Sequence, residues 1–300
     1  MKEAKPRNSL FFPLRSEMPT VTTVRIKGFL GGVLSTVFEF TENLVSSVFT
    51  EDNVLHQLKS KRGPDAKVVF YGDYIWTPMF GHYFDRYEDY HSLNVRDLDT
   101  LDSNVQKHII DELKEGSNFD LLLGHLIGVD SAGHTFHARH SEIERKLLDT
   151  EAFLAKVIDL MDDETTLVVF GDHGMTSDGN HGGQSDLEMR TVLFAYQKQP
   201  FAMGSRLAQN AELFGEMDRN VKQVDLAPTL SVLLDLPFPY SNVGVFHPAF
   251  APSANLRSLY TLYMKNMEQV QQYLQAYCQA TNQYWCAEET RSFKAAVEEF

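Results

Sequence analysis

The 300 residues include only two cysteines, Cys278 and Cys286, too few for a disulfide framework. They could pair with each other or stand as two unrelated thiols, so they assign no redox compartment. No apolar run approaches the roughly 20 residues that a bilayer-crossing helix needs. The longest candidate, residues 26–40, is interrupted by Lys27 and Glu39. Residues 1–17 carry charge but no continuous apolar stretch of the kind a secretory signal contains. Positive charge is also scarce. With 27 Lys plus Arg against 41 Asp plus Glu the formal charge is -14, which leaves non-specific attraction to a phosphate backbone without support and argues against a nucleic-acid partner. Phosphate chemistry stays open, because a bound cation can invert the local field. There is no internal repeat and no low-complexity tract.

What is present reads as globular. Hydrophobic residues make up 43% and charged residues 23%, and the length allows one decorated domain or two. Lys67 to Tyr71, Phe119 to His125, Thr166 to Phe170 and Thr191 to Tyr196 are short apolar runs, read as strands of a sheet covered on both faces. Between the second and third, Ile143, Leu147, Leu148, Phe153, Leu154, Val157, Ile158 and Met161 recur at helical spacing. Strand, crossover helix, strand is the unit of a parallel sheet, so the class is α/β. Residues 225–236 form a short helix with Pro228 near its start, and the tail from Asn255 onward is mostly helical.

Two of the strands end in residues capable of chemistry. Gly171-Asp172-His173-Gly174 follows the third directly, at the carboxyl end where open α/β sheets bind ligands, and the glycines permit the turn that brings neighbouring side chains together. Asp130 and His134 follow the second, and on a helical turn their i, i+4 spacing sets carboxylate and imidazole on one side. His181 lies eight residues after His173 in the glycine-rich stretch Asn180-His181-Gly182-Gly183. Mixed oxygen and nitrogen donors suit zinc or manganese better than calcium. Thr20, in Met18-Pro19-Thr20-Val21-Thr22, is the candidate nucleophile. Its hydroxyl needs a cation or base to activate it, and a helix starting there, supported by the spacing of Ile26, Phe29, Leu30, Val33 and Leu34, can offer amides to a phosphoryl oxygen.

Each piece has a plainer reading. An Asp-His pair is commonly a surface ion pair, Thr20 alone is commonly a helix cap, and His125 fits a core or supporting histidine better than a ligand. Convergence favours the site: two Asp-His clusters terminate buried strands and a third histidine follows on a glycine loop.

The segments MPTVTTVRIKG, VVFYGD, NVRDLDTLD, GHLIGVDSAGH and GDHGMTSDGNHGGQSDLE, taken in order, resemble the catalytic domain of the GPI ethanolamine phosphate transferases of the alkaline phosphatase superfamily. The likeness runs from about Ser16 to Gly244, and NVRDLDTLD with GNHGGQSDLE tilts it to the branch that modifies the third mannose. The resemblance implies an alkaline-phosphatase-like, mostly parallel sheet covered by helices on both faces, apparently without its first strand. It implies two divalent ions, by preference zinc. Asp172 and His173 would hold the ion that activates Thr20, the residue that becomes phosphoethanolaminylated, while Asp130, His134 and His181 would hold the other. Phosphatidylethanolamine is the implied donor and a mannose 6-hydroxyl of the GPI precursor the acceptor. The implied setting is the endoplasmic reticulum membrane, with the catalytic domain in the lumen and a small membrane-protein subunit as a stabilising partner.

Two departures shape the expected organisation. The family pattern has a further ligand aspartate well ahead of the threonine motif, whereas the first aspartate here is Asp52. The family also carries a membrane anchor and spanning helices. Residues 1–250 therefore read as an N-terminally truncated catalytic domain and residues 251–300 as a helical extension leading toward a membrane region outside this chain. The alternatives are a soluble metal-dependent phosphodiesterase or phosphatase, in which water replaces the mannose hydroxyl, and a catalytically dead homologue that binds without turning over.

Overall fold

The structure is a computed structural model that describes residues 8–34, 48–92, 94–116, 118–203 and 221–281. Two hydrogen-bonded sheets form its frame. In the first, β2 (Val68–Asp73) lies between β3 (Arg86–Tyr90) and β4 (Leu121–Gly124), parallel to both. In the second, the order is β5 (Thr166–Phe170), β6 (Arg190–Gln197), β1 (Ser9–Arg15) and β7 (Val221–Lys222). There β6 runs antiparallel to both neighbours, and β7 is parallel to β1.

Side-chain burial shows β2 covered on both faces, while β1 in the second sheet is buried on one face and exposed on the other. Val68 and Phe70 of β2 enter one core with Leu193 and Ala195 of β6, while Val69 and Tyr71 enter a second core with Tyr196. The first core is closed by α1 (Thr22–Gly31), α2 (Val54–Arg62), α3 (Trp76–Phe80) and α8 (Leu226–Leu233). The second is closed by α4 (Thr100–Lys114) and α6 (Ser141–Leu160). Residues two apart on a strand share a face, so this split follows directly from continuous apolar runs. The α/β class and the helical cover expected from the sequence are both present.

The strands expected around residues 67–71, 119–125, 166–170 and 191–196 correspond to β2, β4, β5 and β6, and the crossover helix to α6. Residues ahead of Thr20, in which the sequence marks no strand, supply β1, whose buried and exposed positions alternate from Leu10 onward despite Pro13. β3 was equally silent, because RYEDY is a polar strand at the end of its sheet. α1 ends at Gly32, which takes φ 68 and returns its amide to Gly28. The tail forms α9 (Leu256–Thr281), docked through Leu259 and through Asn266, which bonds Phe246 N and Gly244 O. Cys278 on α9 is disulfide-bonded, and Cys286 lies outside the described residues. No described helix is long and apolar enough to cross a membrane.

Candidate active site

The site gathers beyond the carboxyl ends of β4 and β5. Asp130 and His134 lie on α5 (Gly128–Phe136), which begins shortly after β4, so a single helical turn aligns them. Asp172 and His173 follow the last residue of β5, and the chain then loops through His181 before α7 (Asp186–Met189). That loop is fixed by Ser185 and Glu188: Ser185 caps α7, and the Glu188 carboxylate accepts from Gly183 N at 2.8 Å and Ser185 N at 2.9 Å.

Within this frame Asp130, His134 and His181 converge, with one donor atom from each lying within 4.8 Å of the others. His134 Nε2 is 3.0 Å from His181 Nε2 and 3.4 Å from Asp130 Oδ2. His181 donates from Nδ1 to the Thr20 carbonyl at 2.7 Å, which leaves its Nε2 lone pair turned to the cluster. The His173 ring stacks on His181 with centroids 3.8 Å apart, and His173 Nε2 is 3.4 Å from Asp172 Oδ2. One contiguous patch therefore contains all five carboxylate and imidazole groups that the sequence singles out. Asp172 is held through its carbonyl, which accepts from the buried Gln223 Nε2 at 2.7 Å.

The charges are mutually dependent. The hydrogen bond that His134 donates to the Asp130 carboxylate raises the His134 imidazole above the ordinary 6.5. Burial, with the neighbouring His173, pushes His181 below that value. Burial works to raise the Asp130 carboxyl, but His134, His181 and His173 together bring it below the usual carboxylate range. The donor set also fits a divalent cation. Asp130 Oδ1 is buried without a hydrogen-bond partner, and two imidazole Nε2 atoms face each other beside it. One carboxylate and two imidazoles suit a borderline metal such as zinc.

Thr20 does not open the helix that the sequence suggests for it. The helix starts at Thr22 rather than at Thr20. The Thr20 side chain is fully buried, donating to Gly183 O at 3.0 Å and accepting from Gly182 N at 2.8 Å. Thr20 therefore ties the histidine loop to the chain before α1, and its hydroxyl is already committed. The Thr22 hydroxyl is 3.3 Å from His173 Nε2, and no side chain caps α1. Because His173 Nδ1 donates to Gly174 O at 2.9 Å, the lone pair of Nε2 points at Thr22. Sequence reasoning passed over Thr22 because two threonines two residues apart are equivalent until the helix start is fixed. His125 stays out of the cluster, at the end of β4 near Trp76.

Clustered carboxylate and imidazole beside a hydroxyl at a helix start suit phosphate-ester chemistry, and the comparisons point the same way. Residues 35–223 match the type I phosphodiesterase / nucleotide pyrophosphatase family, and the chain belongs to it. More specifically, the chain is 36% identical over 243 residues to GPI ethanolamine phosphate transferase 3 of Eremothecium gossypii, covering 79% of this chain and 24% of that protein. It spans about a quarter of the length of the curated relatives it matches. Among solved structures, the lipooligosaccharide phosphoethanolamine transferase A of Neisseria meningitidis, an integral membrane protein, superposes with TM-score 0.53 at 12% identity, over 83% of this chain and 51% of that one. An alkaline phosphatase superfamily protein from Vibrio parahaemolyticus gives TM-score 0.50 at 13% identity, over 80% of this chain and 61% of that one. At these identities the structures establish the fold alone, and that fold is the alkaline-phosphatase kind.

Proposed function

We propose that this chain is the catalytic portion of a GPI ethanolamine phosphate transferase that moves phosphoethanolamine from phosphatidylethanolamine to the 6-hydroxyl of the third mannose of the GPI precursor. The name of the Eremothecium relative and the order of the shared motifs support the substrate class. The observation that carries the reading is the Thr22 hydroxyl, 3.3 Å from His173 Nε2 in the same patch as Asp130, His134 and His181.

In this reading Asp130, His134 and His181 hold one divalent ion and Asp172 with His173 holds a second, zinc by donor chemistry. Such ions polarise a phosphodiester and neutralise the charge that builds on its equatorial oxygens. The chain's own groups do the rest. Thr22 Oγ1 attacks phosphorus in line and gives up its proton, which the departing diacylglycerol oxygen takes up. The bond to diacylglycerol breaks, and diacylglycerol leaves as the protonated alcohol. The amides of the first turn of α1 face the phosphoryl oxygens. A mannose hydroxyl then attacks the phosphoethanolaminyl-threonine from the vacated side, gives up its proton, and the Thr22 hydroxyl is restored. The reaction belongs in the lumen of the endoplasmic reticulum at the membrane that holds both lipids, and the family resemblance adds a small membrane-protein stabilising partner.

The test is trapping. Incubation with donor labelled in the ethanolamine phosphate group places label on Thr22, and Thr22→Ala removes it. Label that survives in Thr22→Ala but disappears in Thr20→Ala returns the role to Thr20, and label on neither threonine in the active parent removes the covalent route. The family match favours one second reading, a phosphodiesterase in which water takes the place of mannose. Product analysis with and without a mannoside acceptor separates the two.

A further inference from the structure

The acidic motif Asp97-Leu98-Asp99-Thr100-Leu101-Asp102 touches none of the clustered histidines, yet each of its carboxylates has a defined task. Asp97 Oδ1 accepts from Asp99 N at 3.2 Å and Thr100 N at 3.0 Å and so starts α4. Asp99 pairs with Arg145 on α6, at 3.0 Å to Nη1 and 3.2 Å to Nη2. Asp102 reaches a different helix. Its Oδ1 accepts from Ile127 N at 2.9 Å and Gly128 N at 3.1 Å, the opening amides of α5, which has no cap from its own N-cap residue. Its Oδ2 is 2.8 Å from Lys146 Nζ, and both side chains are only 2% exposed. A Cβ on Gly128 would overlap both Lys146 Cε and Asp102 Oδ2, so the backbone of α5 is seated directly on the pair.

We infer that the buried Asp102–Lys146 pair is a positioning device for the candidate metal cluster: by fastening the first turn of α5 between α4 and α6, it sets where Asp130 and His134 meet His181. Asp130 is two residues beyond the amide that Asp102 holds, and His134 one turn further on. The rigid helix transmits a shift at its start to both side chains. A buried carboxylate that compensates a buried ammonium and accepts backbone amides leaves little freedom for that shift. The inference rests on the metal reading proposed above and deepens it. It also gives the family-diagnostic acidic motif a physical role.

The experiment titrates the full chain with Zn(II) against a chelator and measures amide hydrogen exchange across residues 127–134 of the metal-free protein. Asp102→Ala is expected to weaken zinc binding by about 10- to 100-fold, the range typical of lost outer-shell support, and to speed exchange in that segment. Asp102→Asn combined with Lys146→Met keeps an acceptor for the two amides without a lone buried charge, and should recover most of the affinity. Leu58→Ala, a core change in the opposite layer, controls for general destabilisation and should bind zinc as the parent does. Parent-like affinity in Asp102→Ala, or an equal loss in a folded Leu58→Ala, overturns the inference. A parent that binds no zinc removes the metal reading, and the exchange arm then decides the positioning claim alone: unchanged exchange sinks it, and local acceleration supports it.

Discussion

The two halves of the site are built differently. On the α5 side, Asp130, His134 and His181 turn three donor atoms toward one another. On the β5 side, Asp172 and His173 stand 3.4 Å apart and His173 faces a hydroxyl instead of a third donor. The first half has the composition of a cation cage, whereas in the second one imidazole lies between a carboxylate and a hydroxyl. The stacked rings of His173 and His181 join them. Affinity for a metal and reactivity of the threonine are therefore expected to respond to different substitutions.

The largest effect should come from the cage. His134→Ala or His181→Ala removes one of three converging donors, and zinc affinity should fall by more than the about 100-fold that lost outer-shell support can cost. Asp172→Ala, measured by the same chelator competition, should cost this cage less. Equal losses would erase the distinction between the halves.

The threonines give the next effect. Thr20→Ala removes two side-chain hydrogen bonds, to the half-buried Gly182 amide and to the Gly183 carbonyl, each contributing about 0.5–1.5 kcal/mol, which should lower unfolding free energy by about 1–3 kcal/mol in sum. Thr22→Ala should stay within about 0.5 kcal/mol of the parent in the same denaturant titration while losing the covalent label. A stable Thr20→Ala beside an unstable Thr22→Ala would reverse the two roles.

The smallest effect concerns the loop that carries His181. Hydrogen bonding to Ser185, and to Gly183 and Ser185 amides, holds the Glu188 carboxyl below its ordinary 4.5. A depressed folded-state value means that the stabilisation is complete above 4.5 and disappears as pH falls through the lower folded value. The gap in denaturation midpoint between the parent and Glu188→Gln should thus be widest near neutrality and close on acidification. A gap that widens on acidification would contradict the capping role.

Much of this was legible in the sequence, and the limits have physical causes. The TLVVF strand ending in Gly-Asp-His, the i, i+4 spacing of Asp130 and His134, and the crossover periodicity of α6 are local signals, and β5, α5 and α6 form where those signals stand. The roles of Thr20 and Thr22 are not local. They depend on where α1 begins and on partners at Gly182 and Gly183, far along the chain, which no spacing within the threonine motif reveals. The same holds for Asp102, whose partners Ile127, Gly128 and Lys146 belong to other helices. β3 escaped notice because a polar strand at a sheet edge has no apolar run to mark it.

The twofold attachment of Thr20 has a consequence for how such a site can change. Its hydroxyl grips Gly182 and Gly183 while its carbonyl orients His181. The turn that presents the histidine and the turn that presents Thr22 are thereby geared to each other, so drift in either peptide is felt in the other. Remodelling for a bulkier acceptor would have to come from surrounding loops, with this inner coupling inherited unaltered.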